Sequence, residues 1–206
     1  PLNHYLDSYF YRAFGRTDLN QNPELFASAE DQEHVAKDLE QIGDKFITVH
    51  MRNWHWPAKN ISMDIWLDVF TRLFEQRTDF KVVTVGGPTD FYIEEHPLFY
   101  DTRGRYNVQQ HKLLMDSASS FVGIDSGPYW CAAASKTKII ALLTHLKAER
   151  IVPIGNESVA TLEDCHGCND QQARPVRHLN CIKGNYPCAS NFNAQEIADK
   201  ILKTLE

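Results

Sequence analysis

No apolar run in the sequence reaches the roughly 18 residues of a membrane-spanning helix; the stretch Ile139–Leu143 has the length of a buried strand. Positive charge is not in surplus. The net charge is -6, so no global field recruits nucleic acid or anionic lipid. Neither a G-x-G-x-x-G run nor a Gly-Lys-Ser/Thr phosphate loop is present, which excludes a Walker site and disfavours a dinucleotide site. The chain opens Pro1-Leu2-Asn3-His4 without an initiator methionine or a signal-peptide h-region. A processed or truncated piece of a longer protein is therefore expected. Cysteine is scarce until the tail: of five, four crowd into Cys165–Cys188. A secreted disulfide scaffold would be shorter and would spread its cysteines along the chain.

What remains has ordinary globular proportions, with 206 residues, 43% hydrophobic and 23% charged. That is one large domain or two small ones, able to bury roughly 70% of the surface its unfolded chain exposes. Tyr9, Phe10 and Phe14 mark a short helix within Tyr5–Phe14, and the turn-rich stretch Gly15–Pro23 reads as a linker. Ser28 followed by Asp31 is a capping-box signature, with Val35, Leu39 and Ile42 as the apolar stripe. From Lys45 strands and helices alternate. Phe46–Met51 is a β-branched strand, and Ser62 stands where it would cap a helix over Met63–Gln76. Trp66, Val69, Phe70, Leu73 and Phe74 give that helix a 3.6-residue period. Further strands are expected at Phe80–Val85, near Leu98–Tyr100, at Phe121–Ile124 and at Lys138–Leu143. Helices are expected from Asn107 to about Ser117 and over Gly127–Ser135. Such alternation predicts an α/β fold, a parallel sheet with helices on both faces. A polar, cysteine-bearing loop follows, then a terminal helix from Asn193 with Glu196 closing a capping box and Phe192 stapling against Ile197. Ile197, Ile201, Leu202 and Leu205 dock it on the body.

Ligands of open parallel sheets sit beyond the carboxyl ends of the strands, and three strand ends carry suggestive residues. The loop Arg52–Asn60 holds two cations, two tryptophans and a histidine before a helix, where an anion is favoured. It reads equally as a solvated loop with aromatic packing. Gly86-Gly87-Pro88 permits either an ordinary tight turn or close backbone approach to a ligand. Asp125-Ser126-Gly127-Pro128 ends a strand and starts a helix of small residues. Ser126 can cap that helix, with the backbone amides of Gly127 and Tyr129 as expected donors, and a merely structural cap is the competing reading.

At this point a resemblance becomes specific. Lys59–Trp66 resembles the K-x-W-P-x-x-x-W helix entry of the heptosyltransferases, glycosyltransferase family 9. Val83–Pro88 resembles the family's strand ending in Gly-Gly-Pro, and Asp101-Thr102-Arg103-Gly104 its D-L-x-G loop. Asp125–Ala134 resembles its D-S/T-G-x-x-H-x-A-A-A motif, and Thr144–Pro153 the loop that follows. Two departures stand out: Trp130 replaces the family histidine, and the tryptophan-proline pair precedes the lysine, as Trp56-Pro57.

The resemblance implies a GT-B fold, two Rossmann-like domains with the nucleotide-sugar donor held mainly by the second. This chain is similar to that second domain: residues 1–26 as the tail of a missing N-terminal domain and linker, 27–160 as the donor-binding unit, 161–206 as a cysteine finger and helix on the same domain. It further implies that Lys59 meets the donor diphosphate, that Asp125, Ser126 and Gly127 form the diphosphate-facing turn, and that Gly86, Thr102 and Gly104 line the nucleotide. Arg52 and Gly87 complete the expected donor-binding set. The family's catalytic base lies in the missing N-terminal domain.

The cysteine spacing is a separate signal. Cys165-x-x-Cys168, twelve residues, Cys181, six residues, Cys188 has the reach of a four-thiolate site for zinc or iron; two disulfides or four free thiols remain open. The protein-glycosylating heptosyltransferases resemble it with an iron-binding four-cysteine element. His166 and His178 flank the cluster, and Cys131, on a small-residue helix, reads as simply buried.

The expected function is thus the donor-binding half of a cytoplasmic glycosyltransferase, moving a sugar such as heptose from a nucleoside diphosphate to a hydroxyl of an acceptor protein or glycan. No Asp-x-Asp signature appears, and Lys59 with a helix N-terminus can stabilise the leaving diphosphate, so no catalytic divalent metal is expected. The alternative is a non-catalytic nucleotide-sugar-binding or assembly module with a structural metal finger.

Overall fold

The computed structural model describes residues 23–94, 96–169 and 181–206, together with Arg12, Ala13 and Gly15. The expected first helix, the linker and His178 otherwise lie outside the described residues. Six strands form one sheet, β1 (Phe46–Val49), β2 (Lys81–Thr84), β3 (Phe99–Asp101), β4 (Ser120–Gly123), β5 (Lys138–Leu143) and β6 (Glu157–Ala160). Their order is β3-β2-β1-β4-β5-β6, and every pairing is parallel. This is the α/β, Rossmann-like arrangement that the alternating pattern predicts. The helices are α1 (Ala29–Ile42), α2 (Met63–Gln76), α3 (Val108–Asp116), α4 (Gly127–Ala133), α5 (Ala148–Ile151) and α6 (Ala194–Thr204).

Side chains alternate across a strand, and the sheet accordingly carries two cores. Ile47, Val49, Val82, Val122, Ile140 and Leu142 face one side, where Trp66, Val69, Phe70 and Leu73 of α2 and Ile197 and Ile201 of α6 cover them. Phe46, Val83, Phe121, Ile139, Ala141 and Leu143 face the other, under Val35 and Ile42 of α1, Leu114 and Met115 of α3 and Tyr129 of α4. Both faces of a parallel sheet must be buried, and both are.

The helix starts show where capping chemistry holds and where it does not. Ser28 and Asp31 form a reciprocal capping box, Asp31 N to Ser28 Oγ at 3.1 Å and Ser28 N to Asp31 Oδ2 at 3.0 Å. Asn107 and Gln110 form a second box at α3, and both donate to Asp31 Oδ1, at 3.1 and 3.0 Å. Hydrogen bonds led by the Ser28 backbone hold the Asp31 carboxyl down to about 2. Ser62 departs from expectation. It occupies the cap position of α2, but its hydroxyl makes no cap bond and is buried without a partner among the described residues. Its backbone amide donates to Ala189 O, at 2.9 Å. At α6 the cap is one-sided, Asn193 accepting from Glu196 N at 3.2 Å.

The sequence pattern gave no sign of α5 or β6. The first is a single turn, and Glu157–Ala160 is a polar edge strand with one buried residue, Val159.

Candidate functional site

The strand order reverses between β1 and β4, since the chain runs outward from β1 through β2 to β3 and then returns to β4 on the other side. A crevice opens beyond the carboxyl ends at such a switch point. The loops after β1, β2 and β4 meet there.

A buried chain of hydrogen bonds ties those three loops together. His50, directly after β1, places Nδ1 2.9 Å from Ser126 Oγ and Nε2 3.0 Å from Asp90 Oδ2. Since a carboxylate only accepts, the network assigns the proton to Nε2, and the Ser126 hydroxyl donates to Nδ1. Asp90 also accepts from the amides of Gly87 at 2.7 Å and Asn53 at 2.8 Å. Burial works against ionisation of Asp90, but the bonds from His50, Asn53 and Gly87 hold its carboxyl below the usual range. Gly86 must be glycine: its φ is +128°, and a Cβ there would come within 2.7 Å of His50 Cδ2.

Lys59 sits in a short 3₁₀ turn, Pro57–Lys59, and is 8% exposed. Its Nζ donates to Asp125 Oδ2 at 2.6 Å and to Asp125 O at 3.1 Å, and stands 4.6 Å from the centre of the Trp56 ring. Trp130, where the family pattern has histidine, donates its indole N–H to Asp125 Oδ1 at 3.0 Å. Asp125 is thereby held from both sides. Trp56 packs on His145 with ring centres 5.4 Å apart. Burial, with Lys59 adding positive charge, pushes His145 down to about 4.

Beside this pair lies a cleft of about 540 Å³, lined by His50, Arg52, Trp54, Gly86, Gly87, Pro88, Tyr106, Val108, His111, Gly127 and Trp130 among others. The size suits a small organic ligand. Tyr106, Val108 and Pro88 are among its apolar lining, and the Tyr106 hydroxyl is bonded to Asp38. Burial, followed by that bond, raises the Tyr106 phenol far above its ordinary value, so it stays neutral. Arg52 supplies the charge. Its half-buried guanidinium makes no hydrogen bond or ion pair among the described residues, and its Nε is shielded from water without a partner. Burial lowers its affinity for the proton, and the charges of Asp90 and Asp125 oppose that. Gly127 adds an open backbone, since a Cβ there would meet nothing within 4 Å.

The structure places the other candidates as follows. Gly87 lines the cleft with Gly86. Ser126 caps α4 through Tyr129 N, at 3.3 Å, so the Tyr129 amide is consumed by the cap. Thr102 is fully buried and donates to Thr84 O at 2.9 Å. Gly104 packs on Pro88 and donates its amide to Gly86 O at 2.8 Å. Neither lines the cleft; both set the shape of the Gly86–Pro88 turn. Sequence reading missed His50, Asp90, Tyr106 and His111. A histidine closing an otherwise apolar strand was the available signal for His50. Cys131 lines the cleft as a thiol that burial pushes up to about 11.

On the far side of the Lys59 turn, Cys165, Cys168, Cys181 and Cys188 line one small cavity with Ala58, Thr144 and His145. All four are free thiols. Burial, and then the neighbouring thiols, push Cys188 up to about 12 and Cys168 upward. Their sulfurs do not form a closed set: among the described residues, Glu163, Asp164 and Cys165 are the group whose ligand atoms all lie within 4.8 Å of one another.

Comparison with known proteins agrees with this architecture. A glycosyl transferase of family 9 from Veillonella parvula superposes with a TM-score of 0.74 at 18% identity, covering 100% of this chain and 60% of that one. The E. coli ADP-heptose lps heptosyltransferase II gives 0.61 at 17% identity, covering 91% and 56%. The dodecameric iron-containing heptosyltransferase TibC, in complex with ADP-D-beta-D-heptose, gives 0.64 at 17% identity, covering 80% and 47%; its source is enterotoxigenic E. coli. At these identities the likeness is one of fold, and the chain spans 47% to 60% of these three proteins. No curated protein matches in sequence. The family description glycosyltransferase family 9 (heptosyltransferase) matches residues 1–186, and on that match the chain belongs to this family.

Proposed function

We propose that the chain is the donor-binding half of a glycosyltransferase that moves a sugar, heptose in this reading, from a nucleoside diphosphate to an acceptor hydroxyl. The observation that carries it is Arg52, a half-buried cation with no hydrogen-bond or ion-pair partner among the described residues, on the wall of a cleft whose exposed lining is mostly apolar. A flat ring and an anion together are what that wall fits. A guanidinium offers several donors in a fixed plane to phosphate oxygens, and the leaving diphosphate of sugar transfer gains charge as the glycosidic bond breaks. Lys59, already paired with Asp125, acts as a second cation behind the first and fixes the Asp125–Gly127 turn. Gly86, Gly87 and Gly127 let the ligand approach backbone, while Thr102 and Gly104 shape the turn that carries Gly86.

The division into residues 1–26, 27–160 and 161–206 belongs to this proposal, with the acceptor site and the base supplied by an N-terminal domain. Four thiols lining one cavity supply the donor chemistry of a thiolate-preferring ion, zinc or iron, although their sulfurs are not drawn together into a closed set. Cys165, Cys168, Cys181 and Cys188 would hold it, and it would tie the two halves of the tail together. Free thiols agree with a cytoplasmic setting. Among the described residues no helix is long and apolar enough to cross a membrane.

Transfer of labelled sugar tests the proposal. The chain alone is expected to release no product, because proximity of donor, acceptor and base needs both halves, whereas the chain joined to an acceptor-binding domain transfers. Robust transfer by the chain alone overturns the division of labour. No turnover of any nucleoside diphosphate sugar by the joined protein overturns the function.

A further inference from the structure

We propose that His111 is a specificity-determining residue of the cleft, a neutral hydrogen-bond acceptor that reads an exocyclic amine on the base of the bound nucleotide. This rests on the donor-binding reading above and adds to it a residue that reads the base.

His111 lies in the first turns of α3, is 8% exposed, and lines the cleft. Its Nδ1 stands 2.9 Å from the carbonyl oxygen of Asn107. A carbonyl only accepts, so Nδ1 carries the hydrogen. A neutral imidazole has one N–H, which leaves Nε2 with its lone pair. Burial favours that neutral form and outweighs the bond to the Asn107 carbonyl, which favours the charged one. Nε2 is shielded from water and has no partner among the described residues.

Buried acceptors in native proteins are nearly always satisfied, and an exception calls for a reason. The neighbours do not provide a donor. The Tyr106 ring meets His111 edge to face at 5.7 Å, but its hydroxyl is committed to Asp38. Both nitrogens of His50 are engaged, with Ser126 and Asp90. With no donor among the described residues, the ligand supplies one, and Tyr106, Val108 and Pro88, which line the same cleft, would contact its flat ring. An amine on the ring satisfies Nε2, whereas a carbonyl in the same place is repelled by it. Adenine and cytosine present such an amine; uracil carries a carbonyl there. A site built to bond a polar group also discriminates against the analogue that lacks it, because the buried partner is left bare.

The test is calorimetric titration of the whole chain with ADP, with purine riboside 5′-diphosphate, which lacks the amine, and with UDP. Wild type is expected to bind ADP roughly tenfold or more tightly than the other two, the worth of about one hydrogen bond. In His111→Leu that preference should vanish while binding of the amine-free analogue is kept. His111→Gln, whose amide oxygen also accepts, should retain part of the preference. Equal binding of ADP and its amine-free analogue by wild type overturns the inference even if neither variant folds. An unchanged ratio in His111→Leu overturns it too, leaving His111 a packing residue. Failure of every diphosphate to bind wild type overturns the donor-binding reading along with it.

Discussion

At the scale of single residues, Lys59 is paired with Asp125 while Arg52 lines the cleft; the sequence reading gives the diphosphate to Lys59 and the Asp125–Gly127 turn, with Arg52 beside them. Side chains of the pair are 10% and 13% exposed, with Nζ and Oδ2 2.6 Å apart. Removing one member of a buried pair strands the other charge, at about 3–5 kcal/mol. Lys59→Ala should therefore lower the urea midpoint steeply, and Lys59→Ala with Asp125→Asn should recover much of the loss. A single variant as stable as wild type would show that the pair is not buried in solution. His111 predicts an acid response. Its folded pKa lies below the unfolded value of 6.5, so the unfolded chain binds the extra proton first. Stability from this residue is fully present above about pH 6.5 and declines as pH falls from there toward the lowered folded value. His111→Leu should flatten that part of a melting-temperature profile; an identical slope in both proteins would exclude the effect. Legibility was uneven at this scale. Arg52, Gly86, Gly87 and Gly127 could be found because they punctuate strand ends. Asp90 could not, since its role depends on His50, forty residues earlier in sequence, meeting it across two adjacent strands.

Elements tell a similar story about local rules and their limits. Ser28 and Ser62 both precede a helix, and from sequence alone both are caps. The first makes the bond and the second does not: no backbone amide of its helix reaches the Ser62 hydroxyl, and the Ser62 amide donates to the turn bearing Cys188. Ser28→Ala should cost about 1 kcal/mol, the usual worth of a cap. Ser62→Ala should be neutral or stabilising, since it deletes a buried hydroxyl that has no partner. Chemical denaturation of the two variants compares them directly. A loss at Ser62 equal to that at Ser28 would mean the hydroxyl is bonded after all. Periodicity found α2 to the residue because five large side chains repeat on one face, and it missed β6 because Glu157-Ser158-Val159-Ala160 buries only Val159. An edge strand of that kind takes its structure from the register with β5, which no local pattern encodes.

For the whole molecule, the fold was legible from alternation of strand and helix, whereas the position of the cleft required the strand order. The tail joins this core through the 3₁₀ turn Pro187–Ala189, which packs on the Lys59 turn. If the four cysteines hold an ion, elemental analysis should find about one zinc or iron per chain, and a strong chelator should lower the melting temperature. Metal-free protein with two disulfides by mass spectrometry would refute that part. The central claim is that Arg52, on the cleft wall, holds the diphosphate of a nucleotide. Titration calorimetry of the chain with ADP, UDP and GDP tests it most directly, comparing wild type, Arg52→Ala and Lys112→Ala. Lys112 is paired with Asp116 along α3 and does not line the cleft. A charge-assisted hydrogen bond is worth roughly 1.5–3 kcal/mol, so Arg52→Ala should weaken binding about tenfold or more, with Lys112→Ala unchanged. Arg52→Ala binding every diphosphate as tightly as wild type would contradict the account.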